Sequence, residues 1–418
     1  MTAVSLPIGV GGKTPEQALA ELHDMTAELV PIGIEEYRQR INNAQLFMQA
    51  NGISAIYLNA GTSLSYFTGL NWYPSERVVG ALLPASGDIR FIAPHFELGS
   101  IEDAMVVQAP IALWHEHENP FALLHTLLSE MGIGNTAIIG MDENAPFFIY
   151  DGLKAVHNSY QIINAKSVTA HCRMHKSEQE LNIIQTAMNM TLKIHQAAAS
   201  ILHEGITTTE VETFINQAHK KVGAAGSSFC IVLFGVATSF PHGVKDPQTL
   251  KFGDVVLIDT GCRLYGYHSD ITRTYVYGNA TKEQRTMWDH EKSAQLAAFN
   301  AAQLGATCGE VDQAARGFLQ SVGLGPDYQL PGCPHRTGHG LGMDIHEWPY
   351  LVKNNPQIVA QGMCFSNEPM LVVPGQFGIR LEDHFYITEQ GPRWFTEPSF
   401  SIDDPFGLSV DNASQRLA

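Results

Sequence analysis

Four carboxylates and one imidazole occur in five distinctive local strings of this chain, spread over residues 259–382. The strings are VVLIDTG, HSDITRTY, RTGHGLGMDIHEWP, SNEPM and GIRLEDH, and the side chains are Asp259, Asp270, His339, Glu368 and Glu382. Hard oxygen donors with one borderline nitrogen suit divalent ions such as Mn²⁺, Co²⁺ or Zn²⁺. Two such ions about 3.5–4 Å apart can share a water, lower its pKa and polarise a carbonyl. The sequence therefore predicts a fold that brings these distant residues together around a pair of cations.

Length and charge limit the remaining possibilities. A chain of 418 residues favours two domains. The net charge of −17, from 42 acidic and 25 basic residues, argues against a nucleic-acid binder and against polybasic membrane attachment. No apolar run is long enough for a transmembrane helix, and the amino-terminal residues do not resemble a secretory signal. The six cysteines are scattered without a C-x-x-C pair, which is typical of reduced thiols in a cytoplasmic protein.

Residues 1–172 are predicted to form an α/β domain. Residues 35–51 carry apolar side chains at helical spacing, and the β-rich runs ISAIYL, VVGALLP, DIRFIAP and NTAIIGMD follow, separated by Gly, Pro and Asn. The domain also holds four histidines that combine with no carboxylate at a recognisable ligand spacing: His95, His115, His117 and His125. We interpret these four as ordinary surface or core residues.

Residues 173–418 are predicted to form a second domain with an internal repeat. Ser177 and Glu180 form a capping box that opens a long amphipathic helix. Further on, GITTTEV at residues 205–211 matches GATCGEV at residues 305–311, and a Val-Gly pair recurs at the same offset. Two related αβ halves would place a site at their interface, with ligands from both.

Local sequence patterns predict a strand, turn or glycine-rich setting for four of the ligand candidates. Asp259 is predicted to end a strand and Asp270 to begin the next, with a turn at residues 263–266 that makes a hairpin. Either aspartate alone would be read as a turn former. Glu382 lies in an apolar alternation, where a buried acid requires a cation or a salt bridge, for which Arg380 is the alternative partner. Glycines surround His339 and allow the backbone to crowd close to a site.

These strings, in this order, resemble the pita-bread metallopeptidases, a family that includes methionine aminopeptidase, aminopeptidase P and prolidase. The resemblance covers residues 175–400 well, and NAGTSLSYFTG more loosely resembles the creatinase-like amino-terminal domain of the Xaa-Pro branch. It implies an α+β protein: a carboxy-terminal pita-bread domain with pseudo-twofold symmetry, preceded by a smaller creatinase-like α/β domain.

The resemblance also implies roles for single residues. It makes Asp259, Asp270, His339, Glu368 and Glu382 the metal ligands, with Glu368 also shuttling a proton. His242 and His346 match active-site histidines with catalytic and substrate-binding roles, and Arg380 matches the arginine beside the last ligand glutamate and is expected to bind substrate. His335, just before the glycine cluster, is a further substrate-binding candidate. By itself, His242 would be interpreted equally well as a turn residue between Pro241 and Gly243.

The function that follows is hydrolysis of the peptide bond before proline, by a hydroxide shared between two divalent ions. We expect Mn²⁺ first, then Co²⁺ or Zn²⁺, short proline-containing peptides as substrates, and a cytoplasmic homodimer that binds neither nucleic acid nor membrane. Three alternatives remain at this point: a metal-free C–N hydrolase of the creatinase kind, a related hydrolase of a small amide or cyclic metabolite, and a non-catalytic peptide-binding protein. The complete ligand set argues against the first. The His346-Glu347 pair departs from the His-Asp of many relatives, and the sequence leaves dipeptidase and aminopeptidase open.

Overall fold

The structure is a computed structural model that describes residues 5–409. By contacts, the chain divides into a unit of residues Ile32–Arg173, here called the amino-terminal unit, and a second unit of Met174–Ala418 together with Met1–Pro31, here called the catalytic unit. The division between residues 172 and 173 stays a prediction about domains. Residues 5–31 group with the catalytic unit, which the sequence did not indicate.

Both units contain helices and strands. The α-helices of the described residues are α1 (Pro15–Ala20), α2 (Ile34–Ala50), α3 (Thr62–Thr68), α4 (Leu98–Ala104), α5 (Pro120–Glu130), α6 (Phe147–Val156), α7 (Lys166–Arg173), α8 (Glu178–Ser200), α9 (Thr208–Lys221), α10 (Lys282–Ala301) and α11 (Cys308–Ser321). The strands are β1 (Ala55–Asn59), β2 (Gly80–Pro84), β3 (Arg90–Pro94), β4 (Ile111–Trp114), β5 (Ile138–Met141), β6 (Gln161–Asn164), β7 (Ser227–Phe234), β8 (Val255–Leu264), β9 (Tyr267–His268), β10 (Ile271–Val276), β11 (Gly338–Gly340), β12 (Glu347–Leu351), β13 (Cys364–Asn367), β14 (Met370–Val373), β15 (Phe377–Arg380), β16 (Asp383–Thr388) and β17 (Gly391–Trp394).

The amino-terminal unit is built on one mixed six-stranded sheet in the order β4-β3-β2-β1-β5-β6. The predicted helix at residues 35–51 is α2, and the four predicted β-rich runs contain β1, β2, β3 and β5. The sequence missed β4 and β6. Strand β6 reads Gln-Ile-Ile-Asn and is mostly exposed at the sheet edge, so it lacks the apolar alternation of a half-buried strand.

The catalytic unit contains the two related halves that the repeat predicted. Thr207 caps α9 and Thr307 caps α11, and each shares a capping box with the glutamate three residues on. Both helices end at a valine C-cap followed by a glycine of positive φ, Gly223 at 106° and Gly323 at 85°. The long helices α8 and α10 precede them and pack against them. The duplication is therefore visible in the caps and turns as well as in the sequence.

The sheets of the catalytic unit carry the ligand candidates. One sheet has the order β10-β8-β7, with β9 paired to β8, and a five-stranded sheet has the order β12-β11-β13-β16-β17. Strands β14 and β15 form a separate pair. None of the helices within residues 5–409 is both long enough and apolar enough to cross a membrane. All six cysteines are free thiols.

Buried neutral histidines in the catalytic unit predict sensitivity to acid. Burial lowers the pKa of His195 to about 3 and that of His219 to about 4, against an ordinary 6.5. At pH values between the lowered pKa of each histidine and 6.5, the unfolded chain binds a proton there that the folded chain does not. The free energy of unfolding should therefore fall as pH decreases below 6.5, by about 1.4 kcal/mol per pH unit for each histidine.

Chemical denaturation of wild type and a His219→Gln variant, at pH 7 and pH 5, tests this expectation. The variant should lose roughly 2 kcal/mol less than wild type between the two pH values. Buried carboxyl groups with raised pKa values, such as Glu291, act with the opposite sign but equally in both proteins. Identical pH dependence in the two proteins would contradict the assignment.

Candidate metal centre

Three backbone segments bring Asp259, Asp270 and Glu382 together. Strand β8 pairs antiparallel with β10, so that Asp259 lies opposite Thr272, two residues after Asp270. Thr272 in turn forms an antiparallel bridge with Glu382. The predicted hairpin is present, and its loop is Tyr265-Gly266, both with positive φ. Thr272 is therefore the centre about which the three acids are arranged.

Two local sequence predictions need correction. Asp259 does not end a strand, because β8 continues through Gly261 to Leu264. Gly261 is required for close approach, since a Cβ atom there would lie 1.8 Å from the carbonyl oxygen of Ser269. Glu382 is not in the middle of one continuous strand: β15 ends at Arg380, and β16 begins at Asp383 in a different sheet. The break lets Glu382 exchange main-chain hydrogen bonds with Thr272.

His339 lies at the meeting point of the carboxylates. Its Nε2 atom is 3.2 Å from Oε1 of Glu368, 3.7 Å from Oδ2 of Asp270 and 3.9 Å from Oε1 of Glu382. The other ring nitrogen, Nδ1, lies 3.0 Å from the carbonyl oxygen of Gly340. A carbonyl only accepts, so Nδ1 carries the hydrogen. In the neutral ring, the lone pair of Nε2 therefore faces three carboxylates.

The carboxylate of Asp259 is bound by Arg380. Its Oδ2 atom accepts a hydrogen bond of 2.5 Å from Nη2 of Arg380. Arg380 is 3% exposed, and it also donates to the hydroxyl of Thr272 and to the carbonyl of Pro241. The salt bridge that the sequence left open is therefore made to Asp259, while Glu382 accepts from Thr272 at 2.8 Å.

The electrostatics of the cluster require further positive charge. Burial and the neighbouring carboxylates raise the pKa of Asp270 and of Glu382 well above the ordinary values. Burial also raises the pKa of Asp259, although Arg380 opposes this. For Glu368, burial acts to raise the pKa, but the neighbouring His339, His335 and Arg380 together leave it lowered. Among residues 5–409, the guanidinium of Arg380 forms an ion pair with only Asp259 of the four acids, so protons or metal cations must compensate the others.

Unpaired oxygens in the cluster favour metal cations over protons as the compensating charge. Oδ1 of Asp259, Oδ1 of Asp270 and Oε1 of Glu382 are buried and have no hydrogen-bond partner among residues 5–409. Buried polar atoms are ordinarily paired, and unsatisfied ones often mark an ion. Three such oxygens, one of them 3.9 Å from Nε2 of His339, belong to a donor set that fits divalent metal ions.

The structure adds one residue that the sequence did not nominate. Asp270, His339, Glu382 and His384 each offer one ligand atom, and these four atoms lie within 4.8 Å of one another. Burial and the nearby His339 lower the pKa of His384 well below its ordinary value. The main-chain carbonyl of Asp270 is close enough to raise that pKa slightly, yet neither ring nitrogen meets hydrogen-bond geometry with any described residue. The sequence offered one signal for His384, which is its position two residues after the ligand candidate Glu382.

The predicted histidines share one cavity with the ligand candidates. This cavity of about 680 Å³ is lined by all five candidates and by His242, His335, His346 and Arg380. The rings of His346 and His339 lie with centroids 4.1 Å apart. Although His346 is open to the cavity, the surrounding protein and the nearby His339 lower its pKa. Burial likewise lowers the pKa of His335.

Glu347, the departure noted in the sequence, has a structural partner. Its Oε1 atom accepts a hydrogen bond of 2.6 Å from Nζ of Lys176, and both side chains are buried. This ion pair fixes the start of β12 next to His346. Glu347, which replaces the shorter aspartate of many relatives, therefore has an ion-pair partner within the catalytic unit.

Comparison with known proteins identifies the family. A profile described as Metallopeptidase family M24 matches residues 182–389, and one described as Creatinase/Prolidase N-terminal domain matches residues 40–175. The probable dipeptidase PepE of Mycobacterium tuberculosis is 30% identical over 360 residues, which are 85% of this chain and 93% of that protein. The chain belongs to metallopeptidase family M24.

Further M24 relatives agree with this assignment. The Xaa-Pro dipeptidase of Pyrococcus furiosus is 28% identical over 362 residues, covering 86% of this chain and 98% of that protein. The crystal structure of dipeptidase PepE from Mycobacterium ulcerans superposes with a TM-score of 0.82 at 29% identity, covering 88% of this chain and 97% of that one. The predicted α+β fold class and the prediction of a metallopeptidase are both confirmed. The alternative of a non-catalytic peptide-binding protein is accordingly set aside.

Proposed function

We propose that this M24 metallopeptidase is an Xaa-Pro dipeptidase that uses two divalent ions held by Asp259, Asp270, His339, Glu368 and Glu382. The observation that carries the proposal is the convergence of three carboxylates on Nε2 of His339, in a cluster where several buried carboxylate oxygens have no hydrogen-bond partner among residues 5–409. Similar proteins that are named dipeptidases support the substrate class.

We expect the five ligands to be divided between the two ions. Asp259 and Asp270 would hold one ion in part, His339 and Glu368 would complete the other, and Asp270 and Glu382 would bridge them. Four carboxylates favour Mn²⁺, with Co²⁺ or Zn²⁺ as alternatives. When bound, the ions polarise the scissile carbonyl and lower the pKa of a water. The predicted homodimer and cytoplasmic location stay predictions.

Glu368 is the residue best placed to move a proton. Its side chain is 14% exposed, against 10% for Asp259, 5% for Asp270, 2% for Glu382 and 1% for His339. It is therefore the ligand candidate most open to the cavity. Ser366 donates to its Oε1 atom at 3.1 Å, which fixes its orientation. We expect Glu368 to accept the proton of the attacking water and to pass it to the proline nitrogen.

The histidines of the cavity act on the substrate carbonyl. With its lowered pKa, His346 is neutral near pH 7 and offers one N–H group. His242 lines the cavity next to Pro241, whose carbonyl accepts a hydrogen bond from Arg380. Both histidines are candidates to stabilise the oxyanion. Because Arg380 is buried and donates to protein groups, we expect it to orient Asp259 rather than to bind substrate.

Arg336 supports a dipeptide as the substrate. It lines the same cavity, and its guanidinium lies 4.1 Å from the ring centroid of Tyr350. Unlike Arg380, it forms no ion pair with a carboxylate within residues 5–409. A guanidinium with free donors is suited to bidentate binding of a carboxylate. The free carboxylate of a dipeptide meets this need, whereas that of a longer peptide would lie further from the scissile bond.

A substrate panel with Arg336→Gln tests the proposal. With metal added, wild type should hydrolyse Xaa-Pro faster than Xaa-Pro-Yaa and much faster than Xaa-Ala. The variant should raise KM for Xaa-Pro about tenfold to a hundredfold, because a charged hydrogen-bond pair is lost. KM for the matched Xaa-Pro amide, which has no carboxylate, should barely change. Preferred hydrolysis of tripeptides, or of small amides alone, would overturn the dipeptidase proposal.

A further inference from the structure

The strand pairing places His384 on the face of the sheet that carries the metal centre. In the antiparallel pair of β13 and β16, His384 lies opposite Ser366, and Asp383 lies opposite Asn367. Side chains of directly opposed residues point to the same face. The hydroxyl of Ser366 contacts both Glu368 and the main-chain nitrogen of His339. The register therefore directs the imidazole of His384 towards the ligand candidates.

The ring of His384 is fully buried and unpaired. Its exposed fraction is 0%, and neither Nδ1 nor Nε2 has a hydrogen-bond partner among residues 5–409. The main-chain carbonyl of Asp270 lies near the ring, but a carbonyl only accepts, so the lone pair of the neutral imidazole is left without a partner among the described residues, which is unfavourable in a buried position. Packing alone would be served better by an apolar side chain. The position thus calls for a group that uses the lone pair of the ring.

A ligand atom of His384 lies within 4.8 Å of ligand atoms of Asp270, His339 and Glu382. From this we infer that His384 is a sixth ligand and gives the centre a second imidazole donor. The inference rests on the proposed metal centre and adds a residue to it. A second imidazole ligand would change which divalent ion the centre prefers.

A second imidazole changes the balance of donors. Carboxylate oxygens suit Mn²⁺, whereas imidazole nitrogens suit Zn²⁺ and other late first-row ions. With one nitrogen among five ligands, the centre is close to an all-oxygen site. With two imidazole nitrogens, the centre discriminates less against Co²⁺ and Zn²⁺. His384 should therefore raise the affinity for Co²⁺ more than the affinity for Mn²⁺.

Metal titration of a His384→Gln variant tests this selectivity. The Kd for Co²⁺ should rise about tenfold to a hundredfold, with a smaller rise for Mn²⁺. His219→Gln is the matched control, because His219 is equally buried but is hydrogen-bonded to Ser227 and lies outside the cluster. The control should bind both ions as wild type does. Wild-type affinities in the His384 variant would overturn the inference.

A second measurement uses the wild-type protein and does not depend on the variant folding. X-ray absorption of the Co²⁺-loaded protein counts the imidazoles bound to metal. Two imidazoles per chain are expected from His339 and His384. One imidazole with full metal content would overturn the role of His384 and leave the proposed function intact. A protein that takes up no metal would overturn both.

Discussion

Replacing Asp270 with asparagine should remove metal binding and reduce hydrolysis of Xaa-Pro about a thousandfold or more. Asp270 is 4% exposed, and its burial, together with the charges of the neighbouring Glu382, Asp259 and Glu368, raises its pKa. In the proposed centre it bridges both ions. The transition-state stabilisation supplied by bound metal amounts to several kcal/mol, which corresponds to a loss of this size. Metal content and kcat/KM of the purified variant give the measurement.

The stability of the same variant distinguishes loss of metal from misfolding. Without metal, removing one of several crowded carboxylates relieves repulsion, so the Tm of the metal-free variant should equal or exceed that of metal-free wild type. The rise in Tm on adding Mn²⁺ should occur in wild type and be absent in Asp270→Asn. Asp142→Asn, a buried aspartate of the amino-terminal unit, is the matched control and should keep both metal and activity. Full activity of Asp270→Asn without bound metal would contradict the assignment.

Replacing Glu368 with glutamine should lower kcat about a hundredfold to ten-thousandfold, which is the contribution of general acid–base catalysis. Glutamine keeps the size of the side chain and can still accept the hydrogen bond from Ser366. Metal content should fall less than in Asp270→Asn, because Glu368 is proposed to hold one ion whereas Asp270 is proposed to hold both. KM for Xaa-Pro should change little. Steady-state kinetics with Mn²⁺ added in excess provide the test, and near-normal hydrolysis would exclude the proton-transfer role.

The sequence predicted the repeat of the catalytic unit because its signals are local. Capping boxes at Thr207 and Thr307, and the glycines that end both helices, depend on a few neighbouring residues. The convergence of the five ligand candidates was predicted from their chemical types and from family resemblance. Periodicity alone could not have paired residues so far apart in the chain.

The errors arose where tertiary contacts override a local pattern. The alternation around Glu382 predicted one strand, but main-chain bonding to Thr272 divides it between two sheets. The glycine after Asp259 suggested a strand end, whereas Gly261 serves the close approach of Ser269. A lone histidine is ordinarily a core or surface residue. His384 could be identified as a ligand candidate only from its neighbours in the structure.

Anomalous diffraction from crystals of the Mn²⁺-loaded protein tests the central claim most directly. The account predicts two anomalous peaks per chain, about 3.5–4 Å apart, both bound by the cluster of Asp259, Asp270, His339, Glu368 and Glu382. Peaks located elsewhere, or an unoccupied cluster in a crystal saturated with Mn²⁺, would contradict it.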